Sequence, residues 1–158
     1  MTQEKKQYYT LKITQANKTQ MITILYEMTI DYMTDATDAI SRGEKKDADK
    51  NLSYAQNCID ELIRSVNLQT ELGRDLHRIY IFSKKELTMA GINYNIQRIQ
   101  KVEKNFRTLH GAYLELEKAD TSEPTMGNTQ MVYAGLTYGR YSLNEEVSQT
   151  SPNRGYKA

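Results

Sequence analysis

The stretch from Ile13 to Met33 reads ITQANKTQMITILYEMTIDYM, and it decides how the chain is expected to fold. Asn17 can cap a helix because its side-chain oxygen accepts a hydrogen bond from a free N–H group of the first turn. Gln20 stands three residues later, at the spacing of a capping box. Apolar residues then recur at intervals of three and four, which predicts a helix with one buried stripe. The stripe consists of Met21, Leu25, Met28, Tyr32, Ala36 and Ala39.

The same helix carries more apolar residues than one stripe can use. Either the surplus side chains fill a thick core, or they form an apolar groove that binds a helix of a partner protein. Both explanations remain open at the level of the sequence. Seven methionines and twelve tyrosines in the chain suit a binding groove, because Met is deformable and Tyr combines apolar area with a polar tip. The surplus residues are Ile22, Ile24, Tyr26, Ile30 and Met33 here, and Tyr54, Ile63, Tyr80, Ile81 and Leu87 further along.

Three further helices follow from the same periodicity. Gly43 is expected to end the first helix, because glycine readily adopts the left-handed conformation found there. The second helix is predicted from a cap at Asp47 to about residue 68, the third from near Thr70–Gly73 to Ala90, before a turn at Gly91 and Asn93, and the fourth from about 94 to 119. Helices of similar length with short connections predict an all-α fold, an antiparallel up-down four-helix bundle. The predicted core of these helices is Leu52, Ala55, Ile59, Leu62 and Val66; Leu72, Leu76, Ile79, Phe82 or Ser83, and Ala90; and Ile96, Ile99, Val102, Phe106, Leu109, Tyr113 and Leu116.

The chain therefore divides into three parts. Residues 1–16 precede the bundle, residues 17–119 form it, and residues 120–158 follow it. The stretch DTSEPTMGNTQ after Ala119 has the composition of a linker. The remainder lacks a helical period but contains aromatic residues such as Tyr133 and Tyr138, which predicts an extended tail that docks on the bundle or on a partner.

Charge and hydropathy argue against several partners. The 21 Lys and Arg residues nearly balance the 20 Asp and Glu residues, so there is no excess charge to attract nucleic acid. No apolar run approaches the roughly 20 residues that span a bilayer, and the N-terminus lacks the apolar core of a secretion signal. Together with the lone cysteine, this predicts a cytoplasmic protein without disulfides or a membrane span.

The side chains that carry chemistry are few and scattered. Neither His77 nor His110 has a glutamate three residues before it, so the Glu-x-x-His pairs of a di-iron bundle are absent. Cys58 has no histidine placed to activate it and is expected to pack as a small apolar residue. We therefore expect no enzyme, no metal and no cofactor. A small metal protein on a bundle is a competing hypothesis, which predicts bound metal by elemental analysis.

Several motifs together resemble the FliS family of flagellin-specific export chaperones. The opening YYTLKITQANKTQMITILYEM, the third helix LHRIYIFSKKELTMA and the end of the fourth helix, FRTLHGAYLEL, have the family's spacing over residues 8–119. Asn17-Lys18 stands where the family usually has Ser-Pro, and Glu27-Met28 stands where relatives often have Asp-Gly. The motif residues are Tyr8, Ile13, Ala16, Asn17, Leu25 and Tyr26; Leu76, Tyr80, Phe82, Leu87 and Ala90; and Ala112 and Tyr113.

The resemblance implies a cytoplasmic chaperone that binds the C-terminal helical region of flagellin, prevents premature polymerisation and aids flagellar type III export. It implies a bundle closed at one end by the N-terminal segment, to which Tyr8 and Ile13 would belong. We hypothesise that this segment, or the tail, occupies the groove until flagellin binds. The alternative is an adaptor or regulatory protein with a different helical partner, and other flagellar regulatory or export proteins are possible partners. Our candidate groove residues are Tyr26, Tyr54, Ile63, Tyr80 and Leu87.

Overall fold

Five α-helices make up the regular structure of the part of the chain that the computed structural model describes, residues 1–125. They are α1 (Gln3–Gln15), α2 (Lys18–Ser41), α3 (Lys45–Ser65), α4 (Glu71–Asn93) and α5 (Ile96–Ala119). The prediction of a helical fold is confirmed for this part. None of these helices combines the length and the apolar character needed to cross a lipid bilayer. The predicted tail with Tyr133 and Tyr138 lies outside the described residues.

Helix α1 is a correction, because no helix was predicted before Asn17. Thr2 caps it by accepting a hydrogen bond from the backbone N–H of Lys5. Only Tyr9 and Ile13 of its 13 residues are buried, and they stand four residues apart. A helix that buries so little leaves a very weak apolar period in its sequence, which is why periodicity missed it.

The predicted start and end of α2 are confirmed. Gln20 N–H donates to Asn17 Oδ1 at 2.9 Å, and Asn17 N–H donates to Gln20 Oε1 at 2.9 Å, which completes the capping box. Gly43 follows the helix with a φ of +74°, a left-handed conformation that glycine adopts without steric cost.

The later helix ends differ in detail from the prediction. Asp47 is not the cap of α3, which begins at Lys45; it lies in the first turn, where a carboxylate interacts favourably with the positive end of the helix. Thr70 caps α4 by accepting from Gly73 N–H at 3.0 Å. Asn95 caps α5 by accepting from Arg98 N–H at 3.2 Å, so α5 begins two residues later than predicted.

The helices pack as neighbours in a closed order. Helix α2 packs against α1, α3 and α5, whereas α4 packs against α3 and α5. In each consecutive pair of α2 to α5, and between α2 and α5, residue numbers rise along one helix as they fall along the other, so these neighbours run in opposite directions. The contacts that establish this are Tyr32–Tyr54 and Thr29–Cys58 between α2 and α3, Gln56–Thr88 and Asp60–Lys84 between α3 and α4, Tyr80–Phe106 and Glu86–Arg98 between α4 and α5, and Thr19–Asp120 and Thr34–Glu103 between α2 and the end of α5.

The surplus apolar residues of α2 are largely explained by this arrangement. A helix with three packed neighbours is covered on most of its circumference, so it buries apolar side chains on most sides. Of the five surplus residues only Ile22 is partly exposed. The thick-core explanation is therefore correct for the other four, which are Ile24, Tyr26, Ile30 and Met33.

Three residues assigned to the core are instead exposed. Leu72 and Leu116 lie in the first turn of α4 and near the end of α5, where the bundle no longer surrounds them. At the position where either Phe82 or Ser83 was expected inside, Ser83 is the buried residue. Its hydroxyl donates to the carbonyl of Ile79 at 2.7 Å, which satisfies the polar group inside the bundle.

Candidate partner-binding surfaces

Three of the five candidate groove residues lie in the core of the free protein. The side chains of Tyr26, Tyr80 and Leu87 are 0, 1 and 0% exposed. The rings of Tyr26 and Tyr80 lie 6.3 Å apart between centroids, and both approach the ring of Phe106, at 5.6 and 6.2 Å. These side chains were expected at a surface groove, but the bundle needs them to fill its centre. They can contact a partner only if the bundle opens.

The hydroxyl groups of this aromatic cluster are paired inside the bundle. Tyr26 and Tyr80 share a hydrogen bond between their hydroxyls, and Tyr113 lies beside Tyr26 with a centroid distance of 5.3 Å. Burial raises the pKa of Tyr80 to about 12 and raises the pKa of Tyr26 further. Both phenols are therefore neutral at physiological pH and serve as hydrogen-bonding members of the core.

The other two candidates, Tyr54 and Ile63, are partly exposed on α3. The ring of Tyr54 packs against Tyr32 with a centroid distance of 5.1 Å, and it lines a largely polar pocket of about 320 Å³ near the start of α1. Ile63 packs on the core two turns further along α3. The structure therefore does not bring the five candidates together in one exposed groove, and their binding to a partner stays a prediction.

Helix α1 covers one side of α2. Of the two residues predicted for the closing segment, Ile13 is buried but Tyr8 is 53% exposed, and the neighbouring Tyr9 is buried in its place. The Tyr9 hydroxyl donates to Asp31 Oδ2 at 2.5 Å. Burial, followed by this bond to the carboxylate, raises the pKa of Tyr9. A tyrosine at this position is thus held neutral and anchored.

Two ion pairs complete the attachment of α1. Lys5 Nζ lies 2.7 Å from Asp31 Oδ1, and Lys12 Nζ lies 2.7 Å from Glu27 Oε2. His110 on α5 approaches the same Glu27 carboxylate, with Nε2 at 3.4 Å from Oε1. The attachment of α1 is therefore largely polar, and Glu27 joins three helices.

The face of α2 under α1 is partly apolar. Ile24 and Met28 alternate with Glu27 and Asp31 at spacings of three and four residues, so the four side chains share one side of the helix. Ile24 and Met28 are both buried on this side of the helix. We call these four residues, Ile24, Glu27, Met28 and Asp31, the α1 seat. On this side of α2 two carboxylates that bind α1 thus lie beside two buried apolar side chains.

A second surface lies on the outer side of α4. Ile81, Phe82 and Ile92 are exposed there, beside the exposed cations Arg78 and Lys85. Lys101 from α5 also lies over the Phe82 ring, 5.3 Å from its centroid. This surface was not predicted from the sequence, where either Phe82 or Ser83 was expected in the core. The signal for it was the group of apolar residues Ile81, Phe82 and Ile92 that stands close to the cations Arg78 and Lys85 on α4.

A third feature is an apolar pocket of about 240 Å³ at one end of the bundle. It lies where α2 and α4 begin and α3 ends. The exposed side chain of Leu72 forms part of its wall, which explains how this residue can be exposed yet still contact apolar neighbours. Its apolar lining consists of Ile22, Val66, Leu72, Leu76 and Tyr113.

Groups suited to catalysis do not converge in the described residues. Within residues 1–125, no three or more His, Cys, Asp or Glu side chains are grouped so that they could hold a metal ion. Cys58 is fully buried, and burial raises the pKa of its thiol to about 12. The thiol therefore stays protonated near neutral pH, where a nucleophile would need to be a thiolate.

The fold and these surfaces define a helical protein whose apolar faces are suited to binding other helices. Residues 1–120 match the family model described as flagellar protein FliS. The chain therefore belongs to the FliS family, which is a family of flagellar chaperones and not of enzymes. The family resemblance is thus confirmed, and the match extends it through α1. A search of curated proteins finds no significant match.

Proposed function

We propose that this protein is a cytoplasmic chaperone that binds the C-terminal helical region of flagellin. By covering that region it prevents premature polymerisation and supports export through the flagellar type III system. In this proposal α2 to α5 form an antiparallel up-down four-helix bundle, and α1 is a lid on α2. The observation that carries the proposal is the α1 seat, an apolar strip of α2 that is covered by a weakly attached helix of the same chain.

The attachment of α1 is weak enough to be replaced. Full burial of an apolar side chain contributes about 1.5–3 kcal/mol, and α1 buries only Tyr9 and Ile13. Partly exposed ion pairs such as those of Lys5 and Lys12 contribute about 0–1 kcal/mol each. A partner helix with apolar residues at each turn would bury more area on the same strip.

Flagellin suits this mechanism because a free filament subunit exposes a disordered amphipathic end that tends to associate with other subunits. Ordering such a segment on binding costs about 2–5 kcal/mol or more, so the surface that receives it must be long and apolar. In our proposal the seat supplies that surface after α1 moves away. Tyr54 and Ile63 remain candidates for direct contact, whereas Tyr26, Tyr80 and Leu87 support the seat from inside the bundle.

Calorimetry with a peptide of the flagellin C-terminal helical region tests the proposal directly. We expect saturable binding by the full chain, and we expect the full chain to slow polymerisation of purified flagellin. If the peptide gives no binding and polymerisation is unaffected, the proposed function is wrong. The adaptor hypothesis, in which a different helical partner binds, would then be preferred.

The tail offers a second route to the same regulation. Residues 126–158 lie outside the described residues, and we hypothesised that the tail competes with flagellin for the groove. Removing these residues and measuring the Kd of the flagellin peptide separates the two possibilities. A tighter Kd supports the tail as a competitor, whereas an unchanged Kd rejects the tail and leaves α1 to be tested separately.

The exposed surface of α4 favours an additional partner. Ile81 and Phe82 lie among cations, so an amphipathic helix with acidic residues beside its apolar stripe would complement them. This surface is the exposed outer side of α4, whereas the seat lies on the side of α2 that α1 covers. A regulatory or export protein of the flagellar system with such a helix is the partner class that we propose for it.

A further inference from the structure

The segment that follows α5 returns to the junction between α1 and α2. We call residues 120–125 the strap. Asn17 Nδ2 donates to the backbone carbonyl of Ser122 at 3.1 Å and to that of Asp120 at 3.4 Å. The hydroxyl of Thr19 also donates to the Asp120 carboxylate. The cap and first turn of α2 thus hold the strap by three side-chain hydrogen bonds.

The strap also contacts the end of α1. The backbone N–H of Thr125 donates to the carbonyl of Ala16 at 3.1 Å. Ala16 is the residue at which α1 ends, and its side chain is buried. The strap is therefore bonded on both sides of the α1–α2 corner, to Ala16 on one side and to Asn17 on the other.

Asn17 combines two roles in one side chain. Its Oδ1 accepts from Gln20 N–H and caps α2, while its Nδ2 holds the strap. Asn17 is only 3% exposed, so the strap bonds are shielded from competing water. A serine would retain the cap, but its single hydroxyl proton could not replace both donor bonds of the amide.

The strap itself is internally ordered. Ser122 donates to Asp120 Oδ1 through its backbone N–H at 3.0 Å and through its hydroxyl at 2.6 Å. These bonds, together with that from Thr19, hold the pKa of the Asp120 carboxyl below its usual range. The strap thus presents a fixed pair of carbonyls to the amide of Asn17.

We propose that Asn17 is a positioning residue that couples α1 to the strap, so that α1 leaves the seat more readily when the strap is released. If the bonds to Asn17 and Ala16 break, the end of α1 loses its hydrogen-bonded link to the segment that follows α5. By linkage, a ligand that displaces α1 would also loosen the strap. This last consequence rests on the proposed function; the coupling within the free protein does not.

Hydrogen exchange on the full-length protein, without any partner, tests the coupling. The variant Asn17→Ser retains an acceptor for the α2 cap and removes the donor to the strap. The variant Thr125→Pro removes the N–H that bonds Ala16 from the other side. We expect both variants to accelerate exchange of the α1 amides about tenfold, since each removes a net stabilisation of the size of one or two hydrogen bonds.

Two matched controls separate the coupling from the loss of an Asn cap and from an unrelated substitution in the strap. Asn95→Ser makes the same change at the cap of α5, where the strap is not bound, and Glu123→Ala changes an exposed side chain within the strap. Neither should alter exchange in α1. Far-UV circular dichroism checks that each variant retains its helices.

Two results would overturn the proposal. One is unchanged α1 exchange in both Asn17→Ser and Thr125→Pro. The other is faster exchange in Asn17→Ser alone, which would trace the effect to the α2 cap. Failure of the flagellin peptide to bind leaves this measurement intact, so the two proposals can fail separately.

Discussion

The carboxylate of Glu27 on α2 lies 2.7 Å from Lys12 Nζ of α1 and 3.4 Å from His110 Nε2 of α5, so side chains of three helices contact one another there. The contact lies beside Ile24 and Met28, the apolar members of the α1 seat. These polar contacts surround a small apolar patch and hold α1 in a defined position.

The bond between Tyr9 and Asp31 should stabilise α1 specifically. Tyr9→Phe retains the buried ring and removes the hydroxyl, and we expect it to weaken α1 attachment by about 0.5–1.5 kcal/mol, or up to 3 kcal/mol because the acceptor is charged. Hydrogen exchange of residues 3–15 should rise, while exchange in α3 should not. Tyr8→Phe is the matched control, because that ring is exposed, and an equal effect in both variants would argue against the Tyr9 bond.

Ile13 should control access to the seat. Ile13→Ala removes one of the two buried side chains of α1 and is expected to cost about 2–5 kcal/mol of its attachment. Because the binding-competent population rises, the apparent Kd of the flagellin C-terminal peptide should fall by at least tenfold. Leu11→Ala changes a 59% exposed residue of the same helix and should leave the Kd unchanged. A Kd that Ile13→Ala does not lower would contradict the lid mechanism.

The buried tyrosines should make the protein sensitive to alkaline pH. Their ordinary pKa is 10.0, and burial raises the folded-state pKa of Tyr9, Tyr26, Tyr32 and Tyr80, the last to about 12. The unfolded chain then binds fewer protons than the folded protein above pH 10, so stability is full below that pH and is lost as pH rises. Each such tyrosine lowers the free energy of unfolding by about 1.4 kcal/mol per pH unit in that window.

Urea denaturation at several pH values between 9 and about 12 measures this slope. Tyr80→Phe should reduce the slope by about one tyrosine, although it also breaks the hydroxyl bond with Tyr26 and so lowers stability at pH 8. A stability that does not change from pH 9 to about pH 12 would mean that the tyrosines ionise as readily in the folded protein.

Truncation of the two phenylalanines of the chain should change stability by very different amounts. Phe106 is fully buried between Tyr26 and Tyr80, so Phe106→Ala should cost about 3–5 kcal/mol of unfolding free energy. Phe82 is 42% exposed, so Phe82→Ala should change stability by only about 0.5–1 kcal/mol. Chemical denaturation compares them, and a large loss in Phe82→Ala would place that ring in the core after all.

Local features of the fold were predictable because they depend on residues close in sequence. Asn17 with Gln20 and Gly43 are examples, since a capping box and a left-handed glycine need only their own neighbours. The number of helices packed around α2 is a tertiary property. Periodicity therefore could not show that Ile24, Tyr26, Ile30 and Met33 are all buried by the surrounding helices.

The candidate site was harder to predict for the same reason. Surplus apolar character shows that a helix has more to bury, but it does not show whether the cover is a partner or the same chain. Tyr26 and Tyr80 went into the core because they reach each other across the bundle. Ser83 occupies the inner position because its hydroxyl is satisfied within α4, by the carbonyl of Ile79. Phe82, the next residue round the helix, is therefore exposed.

The strap has a consequence for how the protein is made. Ser122 follows Asn17 by 105 residues, and all five helices lie between the start of the chain and the strap. During translation the helices emerge from the ribosome first, so the bonds of the strap to Ala16 and Asn17 form only after the segment that follows α5 appears. A nascent molecule therefore passes through a stage in which its binding strip is easier to reach than it is in the finished protein.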